Sequence, residues 1–366
     1  MKAKTKNKPI NVALIVLSVI GMLYCLFLLY LQNGTKPVNT DDHTLIEVSI
    51  NGSIKSVSKQ LKEQGLIKSR LAFIAKSQLN GTAGKIKSGN YYLSKDMDNK
   101  EIIDIISIGG YEKDSVTKVR IAEGSTIDQI AETLFENKVI YDKTRFLAEC
   151  NNSESIKNNP IAQYVTENND KKYILEGFLF PDTYEFKHNS KPEEVIEKMT
   201  HRFTEVYDQE LLNKTNNEGY NVDIVLTLAS IVEKEGNVND FAKVSAVLKN
   251  RMDAGMALQC DSTVRYVKND QNTISLSHEQ FNLKSPYNTY INKDLPPSPI
   301  CNPSLNAIKA VLEPDKQFIN DKYLYFCTKE DSSKDLIFAK TYEEHLNNVK
   351  KYIGDWKDYD EAIREN

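Results

Sequence analysis

An unbroken apolar run near the N-terminus constrains this chain more than any other feature. The run from Val12 to Leu31 contains no charged residue, and about twenty such residues are enough to span a bilayer as a helix. The lysines before the run have no acid among them, which predicts that the N-terminus lies in the cytoplasm. The sequence therefore predicts a cytoplasmic tail at 1–11, a transmembrane helix at 12–31 and a linker at 32–45, with the rest of the chain extracytoplasmic.

A cleaved signal peptide is the alternative interpretation of the same run. The run is longer than a typical apolar signal core, and the residues that follow it, LQNGTKPVNT, offer no small-x-small cleavage site. The sequence therefore favours a single-pass anchor that is retained in the cell membrane.

The composition argues against several kinds of partner. The chain has 47 basic and 51 acidic residues, and with the four lysines before the run set aside the remainder carries a net charge of about −8. This charge argues against nucleic acid as a partner.

The five histidines include no HExxH pair, and the cysteine spacing fits neither a zinc site nor a disulfide framework. We expect no metal and no other cofactor. The cysteines beyond the run are Cys150, Cys260, Cys301 and Cys327.

Two segments that follow the linker resemble each other. They begin at Val48 and Arg120, and each has the pattern of a strand, a Gly-Ser turn and an amphipathic helix. The first is extended by the strand-like GNYYLS and the helical NKEIIDIISIG. These patterns predict two small α+β modules, at 46–113 and 114–165.

The remainder of the chain combines helical patterns with one long aperiodic stretch. Residues 258–304 are rich in Pro, Asn, Ser and Tyr, and a loop region of that length in a compact domain is usually functional or disordered. Its aromatic residues and flanking helices favour an ordered, functional region. We predict a mixed α+β domain at 166–353, a C-terminal tail at 354–366 and an α+β fold for the whole chain.

Two glutamates end the helical stretch LTLASIVEKEG. Leu228, Ile231, Val232 and Glu235 share one face of a helix, whereas Glu233 lies about 200° away from Glu235 in projection. The periodicity therefore predicts that Glu235 continues the buried stripe. The alternative is a frayed helix end at which this side chain meets water.

The predicted environment of Glu235 would raise its pKa. Apolar surroundings disfavour the charged carboxylate, and the negative end of the helix disfavours it as well. A carboxyl group that stays protonated near neutral pH can act as a general acid.

Six motifs occur in the order in which they occur in the MltG-like family of bacterial endolytic murein transglycosylases, and the resemblance covers nearly the whole chain. Each motif alone is weak, but six in order are specific. They are EGFLFPDTY (176–184), ASIVEKE (229–235), NR (250–251), SPYNTY (285–290), LPPSPICNPS (295–304) and YLYF (323–326). The resemblance implies a single anchor, LysM-like front modules and a catalytic transglycosylase domain at 166–353. The front modules either hold glycan or set the distance of this domain from the membrane, and we favour a role in placement.

The resemblance also implies a reaction and names its acid/base. The family cleaves the β-1,4 bond between N-acetylmuramic acid and N-acetylglucosamine inside a glycan strand, without water, and leaves a 1,6-anhydro end. Its essential acid/base is the second glutamate of the EKE stretch, which corresponds to Glu235 here. One carboxyl serves both proton transfers, so the second nucleophilic carboxylate of retaining glycosidases is not required.

Polar and aromatic residues of the motif regions are the predicted substrate contacts. Asn, Gln and Asp form directional hydrogen bonds with sugar substituents, and tyrosine rings cover apolar sugar faces. Each also has a structural alternative, because Asn and Asp close turns and Tyr fills cores with its hydroxyl bonded. The candidates are Gln259, Asp261, Tyr266, Tyr287, Asn288, Thr289, Tyr290 and Asn302. Glu176 and Asp182 are weaker candidates, and Arg251 is expected to pair with an acid near the site or with a peptide-stem carboxylate.

The chain departs from the family pattern at several positions near these motifs. The usual LQTDPTVxYG is LQCDSTVRYV here, so Ser262 replaces a proline, and Cys260 and Val267 are the other changes. Ser304 replaces a glycine after the NP pair. Glu235 is retained, so these changes concern the details of the cleft and the rate rather than the reaction.

The sequence thus predicts a membrane-anchored lytic transglycosylase that acts on nascent peptidoglycan and ends strand growth, beside peptidoglycan synthases or division and elongation proteins. A hydrolytic muramidase, in which water replaces the C6 hydroxyl, is one rival. A non-catalytic cell-wall binding or division scaffold is the other.

Overall fold

The chain divides into two compact units. The computed structural model describes residues 8–42, 44, 46–109, 116–166, 168–188, 190–269, 276, 278–329 and 335–364. The first unit comprises Met1–Val116 with Lys187–Asn189, and the second comprises Thr117–Phe186 with Ser190–Asn366. Helices and small two-stranded sheets occur in both, which confirms the predicted α+β class. The LysM-like character of the modules stays a prediction.

The first unit packs helices against one antiparallel strand pair. Strands β1 (Ile46–Ile50) and β2 (Gly89–Leu93) pair with Val48 opposite Tyr91, and the inward residues of both strands are buried. Because side chains of a strand alternate between its faces, this register places one apolar side of the pair in the core. The elements are α1 (Lys8–Gly34), β1 (Ile46–Ile50), α2 (Ile54–Glu63), α3 (Arg70–Leu79), β2 (Gly89–Leu93) and α4 (Asn99–Ile108).

Helix α1 covers the predicted transmembrane run. The structure describes its side chains from Ser18 onward, apart from Ile20, and those from Gly21 to Tyr30 are exposed. In the described part of the chain, no helix has both the length and the apolar character that a membrane crossing requires. The predicted transmembrane helix at 12–31 is therefore not confirmed.

The second unit is mainly helical. Its strands form two separate pairs, which are β3 (Val116–Arg120) with β4 (Thr183–Lys187) and β5 (Tyr325–Thr328) with β6 (Leu336–Ala339). The elements are β3 (Val116–Arg120), α5 (Ile127–Glu136), α6 (Lys143–Glu149), α7 (Ser153–Lys157), a 3-10 turn (Pro160–Gln163), β4 (Thr183–Lys187), α8 (Pro192–Glu210), α9 (Leu212–Asn217), α10 (Val222–Glu235), α11 (Phe241–Asp253), α12 (Asp261–Lys268), α13 (His278–Phe281), α14 (Leu305–Leu312), α15 (Lys316–Asn320), β5 (Tyr325–Thr328), β6 (Leu336–Ala339) and α16 (Tyr342–Arg364).

Helix α10 is the central element of this unit. Asn221 caps its start by accepting a hydrogen bond from the Ile224 amide at 2.7 Å, as expected for an Asn at a helix N-cap. Every residue from Val222 to Val232 except Ile224 is buried, and α9, α11, α12 and α14 pack against the helix. The helix ends at Glu235, because Gly236 is extended (φ −130°, ψ −177°). The buried helix therefore fixes its last residue in place.

The structure adds detail to the predicted organisation of this unit. Residues 258–304 are not wholly irregular, because α12 begins at Asp261 inside this stretch. The segment 174–186 forms a strand only in its last part, at β4, and the residues before it are mostly in turns. The C-terminal helix α16 also continues to Arg364, through the predicted boundary between 353 and 354.

Gly177 allows two loops of the second unit to approach each other closely. Its φ of +92° lies in the left-handed region, and a Cβ there would come within 2.5 Å of Pro299 Cγ. We expect Gly177→Ala to lower the free energy of unfolding by about 3 kcal/mol, through backbone strain and overpacking together. Urea unfolding followed by circular dichroism measures this change.

Gly219 provides the matched control for this substitution. Its φ is +71°, but a Cβ there would meet nothing within 4 Å, so Gly219→Ala carries only the backbone cost of about 1 kcal/mol. Equal losses in the free energy of unfolding of the two variants would show that the close approach to Pro299 adds no cost beyond backbone strain.

Candidate active site

The two glutamates at the end of α10 have different partners. Glu233 Oε2 accepts hydrogen bonds from the Ser304 amide at 2.9 Å and the Ser304 hydroxyl at 2.5 Å, at the start of α14. Glu235 lies on the wall of a cavity together with residues of other elements. The divergence that the helical periodicity predicts is therefore present. Glu233 joins two helices, and Glu235 is the acid that faces open space.

One oxygen of Glu235 is held by a neighbouring helix. Its Oε1 accepts hydrogen bonds from the Ser262 amide at 3.2 Å and the Ser262 hydroxyl at 2.6 Å. Burial raises the pKa of Glu235, and the nearby Asp261 carboxylate raises it further, whereas the two Ser262 donors and Arg265 oppose this. The net direction is upward, which favours the protonated form that a general acid requires.

The cavity beside Glu235 has a volume of about 600 Å³. Its wall combines hydrogen-bonding side chains with aromatic and aliphatic ones, as is typical of small-molecule sites. The lining residues are Glu235, Arg251, Leu258, Gln259, Asp261, Leu276, Phe281, Tyr290, Tyr325, Phe326, Cys327, Thr328, Leu336, Tyr342, His345, Val349 and Ile353.

Asp261 is a second carboxyl in the same wall. The Tyr290 hydroxyl donates a hydrogen bond to its Oδ1, and Arg265 Nη2 lies 3.6 Å from its Oδ2. Burial raises the pKa of Asp261, and the hydrogen bond from Tyr290 and the charge of Arg265 oppose this increase. Both oxygens thus have a protein partner, while the charge of this group acts on Glu235.

Arg251 and Gln259 hold each other at another part of the wall. Arg251 Nη2 donates to Gln259 Oε1, Nε donates to Ala257 O at 2.9 Å and Nη1 donates to Leu324 O at 3.1 Å. The guanidinium therefore binds an amide and two carbonyl groups. No acid is among these contacts, and the pairing of Arg251 with a peptide-stem carboxylate stays a prediction. Its contacts fix Gln259 at the cavity surface.

Four of the predicted residues line the cavity, namely Glu235, Gln259, Asp261 and Tyr290. The other five are buried and do not line it. Tyr266 and Asn302 both contact Glu176: the Tyr266 hydroxyl lies 2.9 Å from Oε2, and Asn302 Nδ2 lies 3.0 Å from Oε1. Asn302 Oδ1 also accepts from the amide of Gly177 at 3.1 Å.

The remaining three stabilise the loop that carries Tyr290. The Tyr287 hydroxyl lies 2.6 Å from Ser298 Oγ, and Asn288 Nδ2 donates to two backbone carbonyl groups. Thr289 Oγ1 accepts from the Cys260 amide at 2.9 Å. The polar side-chain atoms of all five residues form hydrogen bonds within the protein, in line with the structural alternative for these residue types.

The structure adds residues that the sequence interpretation did not select. Ser262 appeared only as a departure from the family pattern, although Asp261-Ser262-Thr263 before apolar residues is a recognisable start of a helix. Tyr325, Tyr342 and His345 form an aromatic part of the wall, with Tyr325 and His345 stacked at 5.3 Å between ring centroids. No local signal in the sequence places this C-terminal part beside α10.

Side chains of the types that bind metals are not grouped in the part of the chain that the structure describes. Among those residues, no three His, Cys, Asp or Glu side chains come together in a group that could hold a metal ion. The arrangement around Glu235 offers proton transfer and hydrogen bonding, through a carboxyl of raised pKa in a partly aromatic cavity.

Comparison with known proteins identifies the family. A model of the YceG-like family matches residues 46–351. The endolytic murein transglycosylase of Bacillus subtilis is 32% identical over 340 residues, and the match covers 89% of each protein. The endolytic murein transglycosylase of Streptococcus pneumoniae is 28% identical over 349 residues, which cover 88% of this chain and 61% of the relative's length. A crystal structure of a yceG-like protein from Listeria monocytogenes, at 31% identity, superposes with a TM-score of 0.59 and covers 83% of this chain and 99% of that one. Because the family model matches most of the chain, and a relative of similar length is 32% identical, the chain belongs to the YceG-like family.

Proposed function

We propose that the chain is a peptidoglycan lytic transglycosylase, which cleaves the β-1,4 bond between N-acetylmuramic acid and N-acetylglucosamine within a glycan strand. Two relatives named endolytic murein transglycosylase support this. The observation that carries the proposal is the position of Glu235. Its carboxyl has a raised pKa and lies in the wall of a 600 Å³ cavity.

The proposed reaction uses this carboxyl twice. Protonated Glu235 donates its proton to the glycosidic oxygen as the bond from that oxygen to C1 breaks. The resulting carboxylate then takes the proton of the C6 hydroxyl of the muramoyl residue, and the C6 oxygen forms a bond with C1. The products are a strand with a new free hydroxyl and a strand with a 1,6-anhydro end. Glu235 is protonated again, and no water is consumed.

A hydrolytic muramidase is the second candidate, and Asp261 is the observation that favours it. This residue gives the cavity a second carboxyl, which such an enzyme would need as a nucleophile or to activate water. Its contacts with Tyr290 and Arg265 engage both oxygens, so we favour an electrostatic role for Asp261 in which its charge raises the pKa of Glu235.

We further propose that the enzyme is anchored in the cell membrane and terminates nascent strands. The uncharged run at 12–31 and the lysines before it support the anchor and its orientation. An anchored enzyme reaches only glycan within a fixed height of the membrane, where new strands appear. Peptidoglycan synthases and division or elongation proteins are the partners that this location implies.

Product mass tests the reaction directly. Purified peptidoglycan is digested by the full chain in detergent, and the muropeptides are analysed by mass spectrometry. We expect 1,6-anhydro products, each lighter by one water than the corresponding reducing product. A digest by a known muramidase serves as the reference for reducing ends. Reducing ends from this chain would identify a hydrolase, and glycan that is bound but never cleaved would identify a scaffold.

A further inference from the structure

Ser262 lies in the first turn of α12 and faces Glu235. The helix begins at Asp261 after Cys260 as its N-cap, so the Ser262 amide is among the first-turn N–H groups that have no partner within the helix. The positive end of the helix dipole is at the same place. Ser262 therefore provides two hydrogen-bond donors, its amide and its hydroxyl, at a helix end that stabilises nearby negative charge.

Both Ser262 donors bind the same oxygen of Glu235. The amide lies 3.2 Å and the hydroxyl 2.6 Å from Oε1. Oε2 accepts no hydrogen bond from the residues that the structure describes. A carboxyl oxygen that accepts two hydrogen bonds cannot carry the proton without losing one of them. The arrangement thus makes the two oxygens unequal.

We propose that Ser262 is a positioning residue for the acid/base step: it fixes Oε1 of Glu235 and thereby directs the transferable proton to Oε2. This inference rests on the proposed function, because it assigns a role within that reaction. Ser262 touches Glu235 and acts through it. It also stabilises the carboxylate that forms after the first proton transfer, since both of its donors bind the charged form more strongly.

The charges around Glu235 determine the direction of the expected effect. Asp261 raises the pKa of Glu235, and Ser262 and Arg265 lower it. Tyr290 and Cys260 are the other titratable neighbours, and burial keeps both neutral near neutral pH by raising their pKa values. On α10 itself, Glu233 is bound to Ser304, and Lys234 lines a different cavity.

Removal of the Ser262 hydroxyl should therefore raise the pKa of Glu235. The enzyme needs protonated Glu235 at the start of each cycle, so its rate falls as the pH rises through that pKa. In Ser262→Ala we expect this fall to occur at a pH about one unit higher, the effect of one hydrogen bond to a charged group. We also expect the maximal rate to drop by roughly tenfold, with KM unchanged, because Oε1 is less well held.

Ser304 provides a matched control within the same chain. Its amide and hydroxyl bind Glu233 Oε2 at 2.9 and 2.5 Å, the same pair of contacts made to the other glutamate. Ser304→Ala should lower stability by loss of the α14 cap and leave the pH at which the rate falls unchanged. Ser262→Thr keeps a hydroxyl and should restore the wild-type profile.

The experiment measures the initial rate of anhydro-end formation by the full chain over a pH series, for the wild type and the three variants. A Ser262→Ala profile that superimposes on the wild type would overturn the inference, as would an equal displacement in Ser304→Ala. Should Ser262→Ala fail to fold, Ser262→Cys keeps the size with a weaker donor, and its rate should fall at a higher pH than that of the wild type; a profile equal to that of the wild type would overturn the inference. Absence of anhydro ends from the wild type would contradict the proposed function instead.

Discussion

Replacement of Glu235 by glutamine is expected to reduce the rate of anhydro-end formation by about a thousandfold or more, and to leave the fold intact. Glutamine has nearly the same shape, and its carbonyl oxygen can still accept the two Ser262 hydrogen bonds. The amide neither donates a proton to the glycosidic oxygen nor removes one from the C6 hydroxyl. Because one group carries both transfers, a single substitution removes both contributions. The measurement is the rate of product formation from purified glycan strands.

Glu233→Gln is the control for this variant. The Glu233 carboxylate lies two positions before Glu235 on the same helix, but it binds Ser304 rather than lining the cavity. We expect Glu233→Gln to retain at least about half of the wild-type rate and to lose about 1 kcal/mol of stability, since a hydrogen-bonded negative charge is removed from beside the N-terminus of α14.

The pair of variants distinguishes three outcomes. Loss in Glu235→Gln alone supports the assignment of the acid/base. Equal loss in both would show that the end of α10 matters as a structural element rather than through one carboxyl. Full activity in Glu235→Gln would remove the acid/base assignment altogether.

Helical periodicity was sufficient to separate the two glutamates. Leu228, Ile231 and Val232 are buried, but so is nearly every residue from Val222 to Val232, so the regular helix geometry rather than a single buried stripe gives Glu235 its direction. This prediction depends only on neighbours within two turns, where backbone geometry fixes the direction of each side chain. The same local rule explains why β1, α2 and α5 appear where the sequence indicates, whereas β3 ends at Arg120, the residue at which the pattern begins its strand.

The environments of the buried polar residues depend on distant parts of the chain. Tyr266 meets Glu176 across 90 positions, and Asn302 meets it across 126. Their residue types fit a sugar site as well as a buried network, because both require directional hydrogen bonds. Only the burial of their polar atoms separates the two explanations, and no local pattern carries that information. The aromatic wall from α16 and β5 is hidden from the sequence for the same reason.

Glu176 is the centre of the buried network that joins these segments. Its carboxyl contacts the Ile127 amide at 3.1 Å, Asn302 Nδ2 at 3.0 Å and the Tyr266 hydroxyl at 2.9 Å. Burial raises its pKa from the ordinary 4.5 to about 8, against the opposing effect of the hydrogen bonds from Tyr266 and Ile127. The folded state therefore binds a proton that the unfolded state releases, and this group's contribution to stability falls as the pH rises from 4.5 to 8.

Glu176→Leu is expected to lower the free energy of unfolding by about 4 kcal/mol. Leucine fills the space but leaves the Ile127 amide, one Asn302 N–H and the Tyr266 hydroxyl buried without this partner, at a cost of about 1–3 kcal/mol each.

Glu176→Gln is the control, because an amide imitates the protonated carboxyl: its oxygen accepts from Ile127 and Asn302, and its nitrogen donates to Tyr266. Urea unfolding at neutral pH should place Gln within about 1 kcal/mol of the wild type, and the Gln variant should lose the decline in stability as the pH rises toward 8. Equal stability of the Leu and Gln variants would show that the network contributes little, and that apolar packing alone holds the segment 176–184 against α10 and α12.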